Sequence, residues 1–128
     1  MRRDFNIGKL KEFRKYLENA DHFDYFPVLL HANLSLDHWM YDPNNREFSG
    51  GIDFGDLKIG DSDYEYIYLM EECGREFTER VMEISGPIGS VGIEKVSFFL
   101  LADHVRYLLE SIKRKDKAGV KEAKNLIQ

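Results

Sequence analysis

The sequence predicts an α+β fold that is mostly helical. Short apolar runs separated by Gly, Pro and Asn fill residues 23–60, whereas residues 61–128 carry apolar side chains at helical spacing. An amphipathic segment over residues 1–22 leads the chain, and separate blocks of strands and helices are typical of an α+β layout. With 128 residues, of which 43% are hydrophobic and 13% aromatic, the chain is long enough for a single domain with its own core.

The first predicted element is an amphipathic helix over about residues 6–20. Its apolar positions are three or four residues apart and lysines and arginines lie between them, as in a helix that packs on a core. Asp4 or Asn6 is expected to cap its start. The apolar positions are Ile7, Leu10, Phe13 and Leu17.

Three short extended segments are expected next. The run FPVLL, from Phe26 to Leu30, has a proline near its start and suits a strand or a buried extended segment. The runs HWMY and FSGGIDF flank DPNNRE, a cluster of turn-forming residues. Two short strands joined by a hairpin turn are therefore predicted.

Helical patterns begin at Asp61. Asp61 or Ser62 is expected to cap a first helix, and Gly86 is expected to end a second. A long helix is predicted from about Ile93 to Lys113, and Asp116 is expected to cap a final one. The apolar faces of the first two contain Tyr64, Ile67 and Tyr68, and Phe77, Val81 and Ile84, respectively.

Composition excludes several classes of protein. The formal net charge of -5 argues against a general nucleic-acid or anionic-membrane binder, which needs a basic face. No apolar run approaches the ~20 residues that a membrane span requires. Cys73 is the only cysteine, which excludes an internal disulfide and favours a cytoplasmic location.

Polar side chains suited to a cation lie at one end of the predicted hairpin. Asn33, Asp37 and His38 follow the first apolar run and lie at the start of the first hairpin strand, and Asp53 lies at the end of GGID in the second. Because a hairpin places the start of its first strand beside the end of its second, these side chains are expected to converge. Converging carboxylates repel one another unless a cation screens them. Magnesium with a phosphate ester suits such a site, since Mg²⁺ takes one or two protein carboxylates plus phosphate oxygens and water.

Four motifs follow one another through this region. They are HAN at His31–Asn33, His38 five residues later, IDFGD at Ile52–Asp56 and GDSD at Gly60–Asp63. In this order they resemble the C-terminal lobe of the aminoglycoside phosphotransferases and their choline-kinase-like relatives, within the protein-kinase-like superfamily. The resemblance covers roughly Phe23 to Ile127. Family members carry an N-terminal lobe before this point, whereas only about thirty residues precede His31, so that lobe is expected to be absent.

By resemblance, residues 23–60 form the catalytic-loop and metal-loop hairpin. Asp53 matches the acid that holds metal ions against the nucleotide phosphates, and His38 matches a second metal-side position. His31 matches a residue that braces the loop. Asn33 occupies the position of the catalytic acid, and an amide orients a hydroxyl but cannot accept its proton. The implied cofactor is Mg²⁺, with ATP or GTP as co-substrate.

Residues 61–128 form the implied substrate side. Glu71, Glu72 and Asp103 lie where the family's aminoglycoside-contacting acids cluster, so the resemblance implies a small, cationic acceptor, with an aminoglycoside as one candidate. Asp56 and Asp61 are expected to be structural, bonding backbone amides or capping a helix.

Two functions stay open at this point. The chain is either the C-lobe of a kinase that phosphorylates a hydroxyl of a small molecule when complete, or a catalytically silent remnant, a pseudokinase, that binds a small molecule or a protein. Loss of an N-lobe would expose apolar surface, which favours a partner that supplies the lobe or self-association. Neither nucleic acid nor a membrane is an expected partner.

Overall fold

The computed structural model describes residues 7–128, so the proposed caps Asp4 and Asn6 lie outside the described range. The architecture is mostly helical with small antiparallel sheets, which confirms the predicted fold class. The helices are α1 (Ile7–Leu17), α2 (Ile67–Cys73), α3 (Arg75–Ser85), α4 (Ile93–Lys113) and α5 (Lys117–Ile127). The strands are β1 (Val28–Leu30), β2 (Trp39–Asp42), β3 (Glu47–Gly51) and β4 (Lys58–Gly60). Short 3-10 helices cover Ala20–Phe23, Leu36–His38 and Ser62–Tyr66.

The strands form two separate antiparallel ribbons. The predicted hairpin is β2 paired with β3, with Trp39 opposite Gly51 and a register shift after Met40. The predicted extended run around β1 pairs with β4, with Val28 opposite Gly60. Strand β4 was not predicted, because it has only three residues and its partner lies some thirty positions earlier in the chain.

Helix bounds follow local signals. Helix α4 has the predicted bounds, and the Asp116 side chain accepts a hydrogen bond from the Gly119 N–H at the start of α5. Gly86 ends α3 in the left-handed conformation, which glycine adopts without a steric penalty. Asp61 caps as predicted, but the segment it caps is first a 3-10 turn and becomes α-helical only at Ile67.

Helix α1 ends three residues before its predicted limit at residue 20. The Asn19 side chain accepts a hydrogen bond from the Asp21 N–H and so starts a new 3-10 turn. The His22 ring stacks on Tyr16 and hydrogen-bonds to the Tyr16 carbonyl, which fixes this turn against the helix. Asn is a preferred residue for such a cap, and its backbone is non-helical there.

The chain divides into two compact units, residues up to Asp24 together with Phe98–Gln128, and Tyr25–Ser97. The sequence predicted one domain made of three segments that meet at residues 22 and 60, and this division stays a prediction. In the first unit, α5 packs on the later part of α4 through Leu108, Ala123 and Ile127. The rings of Phe13 and Tyr16 stack on Phe98, and the Phe23 ring meets Phe98 edge-on.

In the second unit the buried apolar side chains include Leu30, Ile67, Leu69, Met82 and Val96. Helix α3 buries Thr78 and Met82 on one face and exposes its acidic side chains on another. No helix within residues 7–128 is long and apolar enough to cross a bilayer.

Candidate phosphoryl-transfer site

The hairpin register brings His38 and Asp53 together. Trp39 and Gly51 are paired at this end of the ribbon, and the Ile52 N–H donates to the His38 carbonyl at 2.9 Å. His38 therefore lies immediately before β2 and Asp53 immediately after β3, at the same edge. His38 Nε2 is 3.3 Å from Asp53 Oδ2. Of the side chains expected to converge, the structure brings His38 and Asp53 into contact.

The His38 ring has a defined hydrogen-bonding arrangement. Its Nδ1 lies 2.7 Å from the Asn33 carbonyl oxygen, and a carbonyl only accepts, so Nδ1 carries the hydrogen. In the neutral ring Nε2 then carries a lone pair, and this lone pair faces the Asp53 carboxylate. Two facing acceptor atoms repel each other, so a cation is favoured at this point.

His31 connects the loop to the hairpin. Its Nε2–H donates to the Ile52 carbonyl at 2.8 Å, and its Nδ1 accepts from the Asn33 N–H at 3.3 Å. Both ring nitrogens are therefore used by backbone groups in one neutral tautomer. The edge of the ring also meets Phe54 at a centroid distance of 4.9 Å. In this geometry the side chain holds the loop against the strand end.

Asn33 points its amide towards a carboxylate. Its Nδ2 donates to Asp56 Oδ2 at 3.4 Å, and Asp56 is exposed. This contact assigns the amide orientation and leaves Asn33 Oδ1 as the acceptor that can receive a hydrogen bond from a hydroxyl. Asp56 thus orients the Asn33 side chain.

Two glutamates hold the backbone of this loop at opposite ends. Glu65 accepts the His31 N–H at 2.8 Å and the Ala32 N–H at 3.1 Å. Glu72 accepts the Ser35 hydroxyl at 2.9 Å and the Leu36 N–H at 2.8 Å. Glu65 was not among the predicted site residues, and Glu72 was predicted to lie at the substrate surface. No local pattern reveals these bonds, because each joins residues more than thirty positions apart.

The remaining predicted acids lie in three environments. Glu71 is exposed on α2. Asp103 belongs to the other compact unit, where it accepts a hydrogen bond from Arg106 at 2.7 Å. Asp61 is buried in an ion pair with the fully buried Lys95 and accepts the Asp63 N–H at 3.0 Å. The position of Asp61 agrees with a structural role.

The backbone is strained where the site forms. Ala32 and Asp53 adopt left-handed φ values of 66° and 63°, a region that is unfavourable for residues with a Cβ atom. Asp tolerates this conformation better than most residues, and the Asp53 side chain keeps 52% of its surface exposed. Strained residues held by surrounding bonds are frequent at ligand sites.

His38 and Asp53 fit one side of a divalent-cation site. Their facing acceptor atoms are a suitable donor pair, and Mg²⁺ commonly uses few protein ligands and completes its shell with water and phosphate oxygens. Within residues 7–128, however, no group of three or more His, Cys, Asp or Glu side chains is arranged to hold a metal. The protein donors would therefore need oxygens from a bound nucleotide or water.

Comparisons with known proteins found one matching family and several similar solved structures. A family described as "Phosphotransferase enzyme family" matches residues 2–86. A solved GDP complex of wild-type aminoglycoside 2'-phosphotransferase-IIIa is similar over 99% of this chain and 44% of its own, with 36% identity and a TM-score of 0.84. A GDP and kanamycin complex of APH(2")-IIia is similar over the same shares, with 35% identity and a TM-score of 0.81.

A macrolide 2'-phosphotransferase type I has the same fold over 98% of this chain and 44% of its own, with a TM-score of 0.70 at 21% identity. The chain thus spans less than half the length of these solved relatives.

Proposed function

Because the chain belongs to the phosphotransferase enzyme family, we propose that it provides the lobe that holds the metal and the acceptor hydroxyl in a nucleotide-dependent small-molecule kinase. The observation that carries this proposal is the 3.3 Å approach of His38 Nε2 to Asp53 Oδ2, beside the Asn33 loop. The acceptor oxygen would attack the γ-phosphorus, form a new P–O bond and release the nucleoside diphosphate. The hydroxyl proton would pass to water or to a phosphate oxygen.

Each side chain has a distinct task in this proposal. Asp53 and His38 would hold Mg²⁺ at the nucleotide phosphates, where the ion neutralises phosphate charge. Asn33 would accept a hydrogen bond from the acceptor hydroxyl through Oδ1, since its Nδ2 is directed to Asp56. His31 fixes the loop that carries Asn33. These tasks position and screen the reactants, which is most of what phosphoryl transfer requires.

Asn33 makes the predicted turnover slow. A positioned general base contributes ~10²–10⁴ in rate, and an amide lacks a basic lone pair of that strength. Phosphoryl transfer depends chiefly on positioning and on charge stabilisation, so the reaction keeps a route without the base. The amide is therefore expected to weaken catalysis without changing the class of reaction.

Relatives guide the choice of substrates. The similar structures at 35–36% identity are GDP complexes, and one of them also contains kanamycin. We therefore expect a guanine nucleotide to be the preferred phosphate donor and a cationic aminoglycoside to serve as the phosphate acceptor. Glu71 is the candidate for contacts with cationic groups on the acceptor, whereas both Glu72 oxygens bond the loop. Asp103 lies in the other unit and pairs with Arg106, so its part in acceptor binding stays a prediction.

The test is a phosphotransfer assay on the full chain with γ-labelled GTP, Mg²⁺ and kanamycin. Label on kanamycin that is lost in Asp53→Ala supports the proposal. Asn33→Asp is expected to raise the rate by ~10²-fold or more, because it supplies a base. Asp42→Ala is the matched control, since this acid lies at the turn end of the same hairpin. Label transfer that is equal in all variants would contradict the assignment.

A specific observation favours the silent binding module as the second candidate. Leu29 and Ile59 face each other across β1 and β4 and are 67% and 66% exposed. Tyr41 and Phe48 do the same across β2 and β3, at 60% and 66%. Apolar cross-strand pairs at this exposure are suited to contact with another protein surface, either an N-lobe on another chain or a further copy.

Binding and activity measurements on the same variants distinguish the silent binding module from the active lobe. If the ribbons bind a partner and the chain is silent, Leu29→Glu and Tyr41→Glu will abolish binding of that partner while the assay above shows no label on kanamycin. If the chain is an active lobe, label transfer will need Asp53, and adding the partner will raise its rate.

A further inference from the structure

The α4–α5 hairpin carries a basic groove. It is an open groove of about 680 Å³, lined by Ile112 and Val120 with Lys115, Asp116, Lys117, Lys121 and Lys124 around them. Among residues 7–128 these four lysines form no ion pair, whereas Arg14, Arg75, Arg80 and Arg106 each have an acidic partner. Four lysines against the one carboxylate of Asp116 leave the lining with a net charge of +3 around an apolar floor.

The chain's charge is divided unequally. Residues 112–128 contain six Lys and Arg and two Asp and Glu, a net of +4. The whole chain has 18 and 23, a net of -5, so residues 1–111 carry 12 and 21, a net of -9. In solution the basic α4–α5 hairpin of one copy therefore meets other copies in which residues 1–111 are acidic overall.

The groove is held in a fixed shape. At Gly119 an added Cβ would lie 2.6 Å from both Asp116 Oδ2 and Ser111 Oγ, so α5 starts in tight contact with α4. Asp116 caps α5, and Ala123 and Ile127 are fully buried below it. A lysine stripe on a fixed helix loses less conformational freedom on binding than one on a mobile segment.

Helix α3 presents the complementary pattern. Glu76, Glu79 and Glu83 are spaced i, i+3 and i+7 on one side of the helix, away from the buried Thr78 and Met82. Glu79 and Glu83 pair with Arg75 and Arg80 of the same helix at 3.9 and 3.0 Å, in exposed ion pairs of the weak kind that a lysine from another copy can replace. Read from its C-terminal end, α5 offers Lys124, Lys121 and Lys117 at the same spacing. Over seven residues each stripe is about 10 Å long. Glu79 and Glu83 also line a groove of about 370 Å³ with Met82, Pro87 and Ile93.

We propose that the lysine groove of one copy binds the α3 glutamate stripe of a second copy, with the two helices antiparallel. In this register Lys124 faces Glu76, Lys121 faces Glu79 and Lys117 faces Glu83. The aliphatic parts of the lysines cover the apolar floors while their ammonium groups reach the carboxylates. Because the two faces differ, the contact is heterologous. It is separate from the exposed ribbon faces and does not rest on the proposed function.

The test is sedimentation velocity of the full chain over a wide concentration range, at low and at physiological salt. We expect reversible association that weakens with salt, as it does for exposed ion pairs. Lys117→Glu with Lys121→Glu should weaken association about tenfold, and Glu79→Lys with Glu83→Lys should do the same. The matched control is Lys11→Glu with Lys15→Glu, which changes the same charge at the same spacing on α1 and should leave association unchanged.

Mixing the two charge-reversed proteins is the decisive step. Each is expected to associate weakly alone, and the mixture is expected to recover association, since reversed stripes again complement each other. A mixture that stays dissociated overturns the proposal, and so does association that is equally sensitive to the α1 control. If the chain stays monomeric and only its binding to a labelled RNA oligonucleotide falls with the α5 reversal, the groove is a nucleic-acid site and the proposal is wrong.

Discussion

The loop site and the α4–α5 hairpin use their backbones in opposite ways. At the loop site, residues with side chains occupy left-handed conformations at Ala32 and Asp53, and polar atoms face one another across short distances. In the hairpin, the close approach is made at a glycine, Gly119, and apolar side chains fill the space below it. The loop site thus keeps a backbone and polar arrangement that does not maximise stability, whereas the packing of the α4–α5 hairpin stabilises the chain.

The largest expected effect lies below the loop site, in the buried ion pair of Asp61 and Lys95. Asp61→Ala should lower the free energy of unfolding by about 4 kcal/mol, because it removes an ion-pair partner of a fully buried ammonium and also the cap of the following turn. Chemical denaturation measures it. Asp56→Ala, at an exposed acid of the same region, is the control and should change stability by less than about 1 kcal/mol. Equal losses in the two variants would show that the ion pair has no special part in the fold.

The next effect tests the hairpin. Gly119→Ala should lower the free energy of unfolding by about 1 kcal/mol, since the overlap of the new methyl group with the Asp116 carboxylate and the Ser111 hydroxyl outweighs the gain in helix propensity. Ala118→Gly, at an exposed position next to it, should cost about 1 kcal/mol through helix propensity alone. A Gly119→Ala protein as stable as the parent would mean that α4 and α5 are not in tight contact here.

A smaller effect of opposite sign is expected at the loop site. Asp53→Gly should raise stability by about 0.5–1 kcal/mol, because glycine adopts the left-handed conformation freely. Asp53→Ala removes the same carboxylate but keeps the Cβ, so it should not stabilise. Both variants should lose any metal-dependent activity. Thermal unfolding of the pair separates backbone strain from the loss of the charge, and stabilisation by alanine as large as that by glycine would contradict the strain.

The smallest effect concerns Tyr107, which donates a hydrogen bond to Glu122 at 2.9 Å. This bond, with burial and the negative charge of Glu122, raises the pKa of Tyr107 above its ordinary value of 10.0. A raised folded-state pKa means that this contribution is present below pH 10 and is lost as the pH rises through the higher value. Glu122→Gln should move the pKa of Tyr107 back towards 10.0, as followed by NMR. An unchanged pKa would show that the bond does not form in solution.

Sequence patterns predicted what local chemistry decides. The bounds of α4 and the caps Asp116 and Asp61 depend on residues that are near one another in the chain. The approach of His38 to Asp53 follows from the pairing of two strands in a hairpin. These features carry propensities and spacings that can be read without coordinates.

Long-range polar contacts could not be predicted in this way. The Glu65 and Glu72 bonds to the loop join residues 34 and 36 positions apart, and the pairing of β1 with β4 spans a similar distance. A glutamate on a helix is by default a solvated side chain, so nothing in the residue type distinguishes one that bonds a distant loop. The left-handed backbone of Asp53 could not be predicted either, because only a glycine in the sequence indicates that conformation.

The central claim is that His38 and Asp53 act together on one cation beside the Asn33 loop. The most direct measurement is paramagnetic broadening of the His38 and Asp53 NMR signals when Mn²⁺ and GDP are added to the full chain. The account predicts that both signals broaden together and before those of the acids at the turn end of the hairpin, and that Asp53→Ala removes the broadening at His38. Signals of His38 and Asp53 that stay sharp, or that broaden no sooner than that of Asp42, would contradict it.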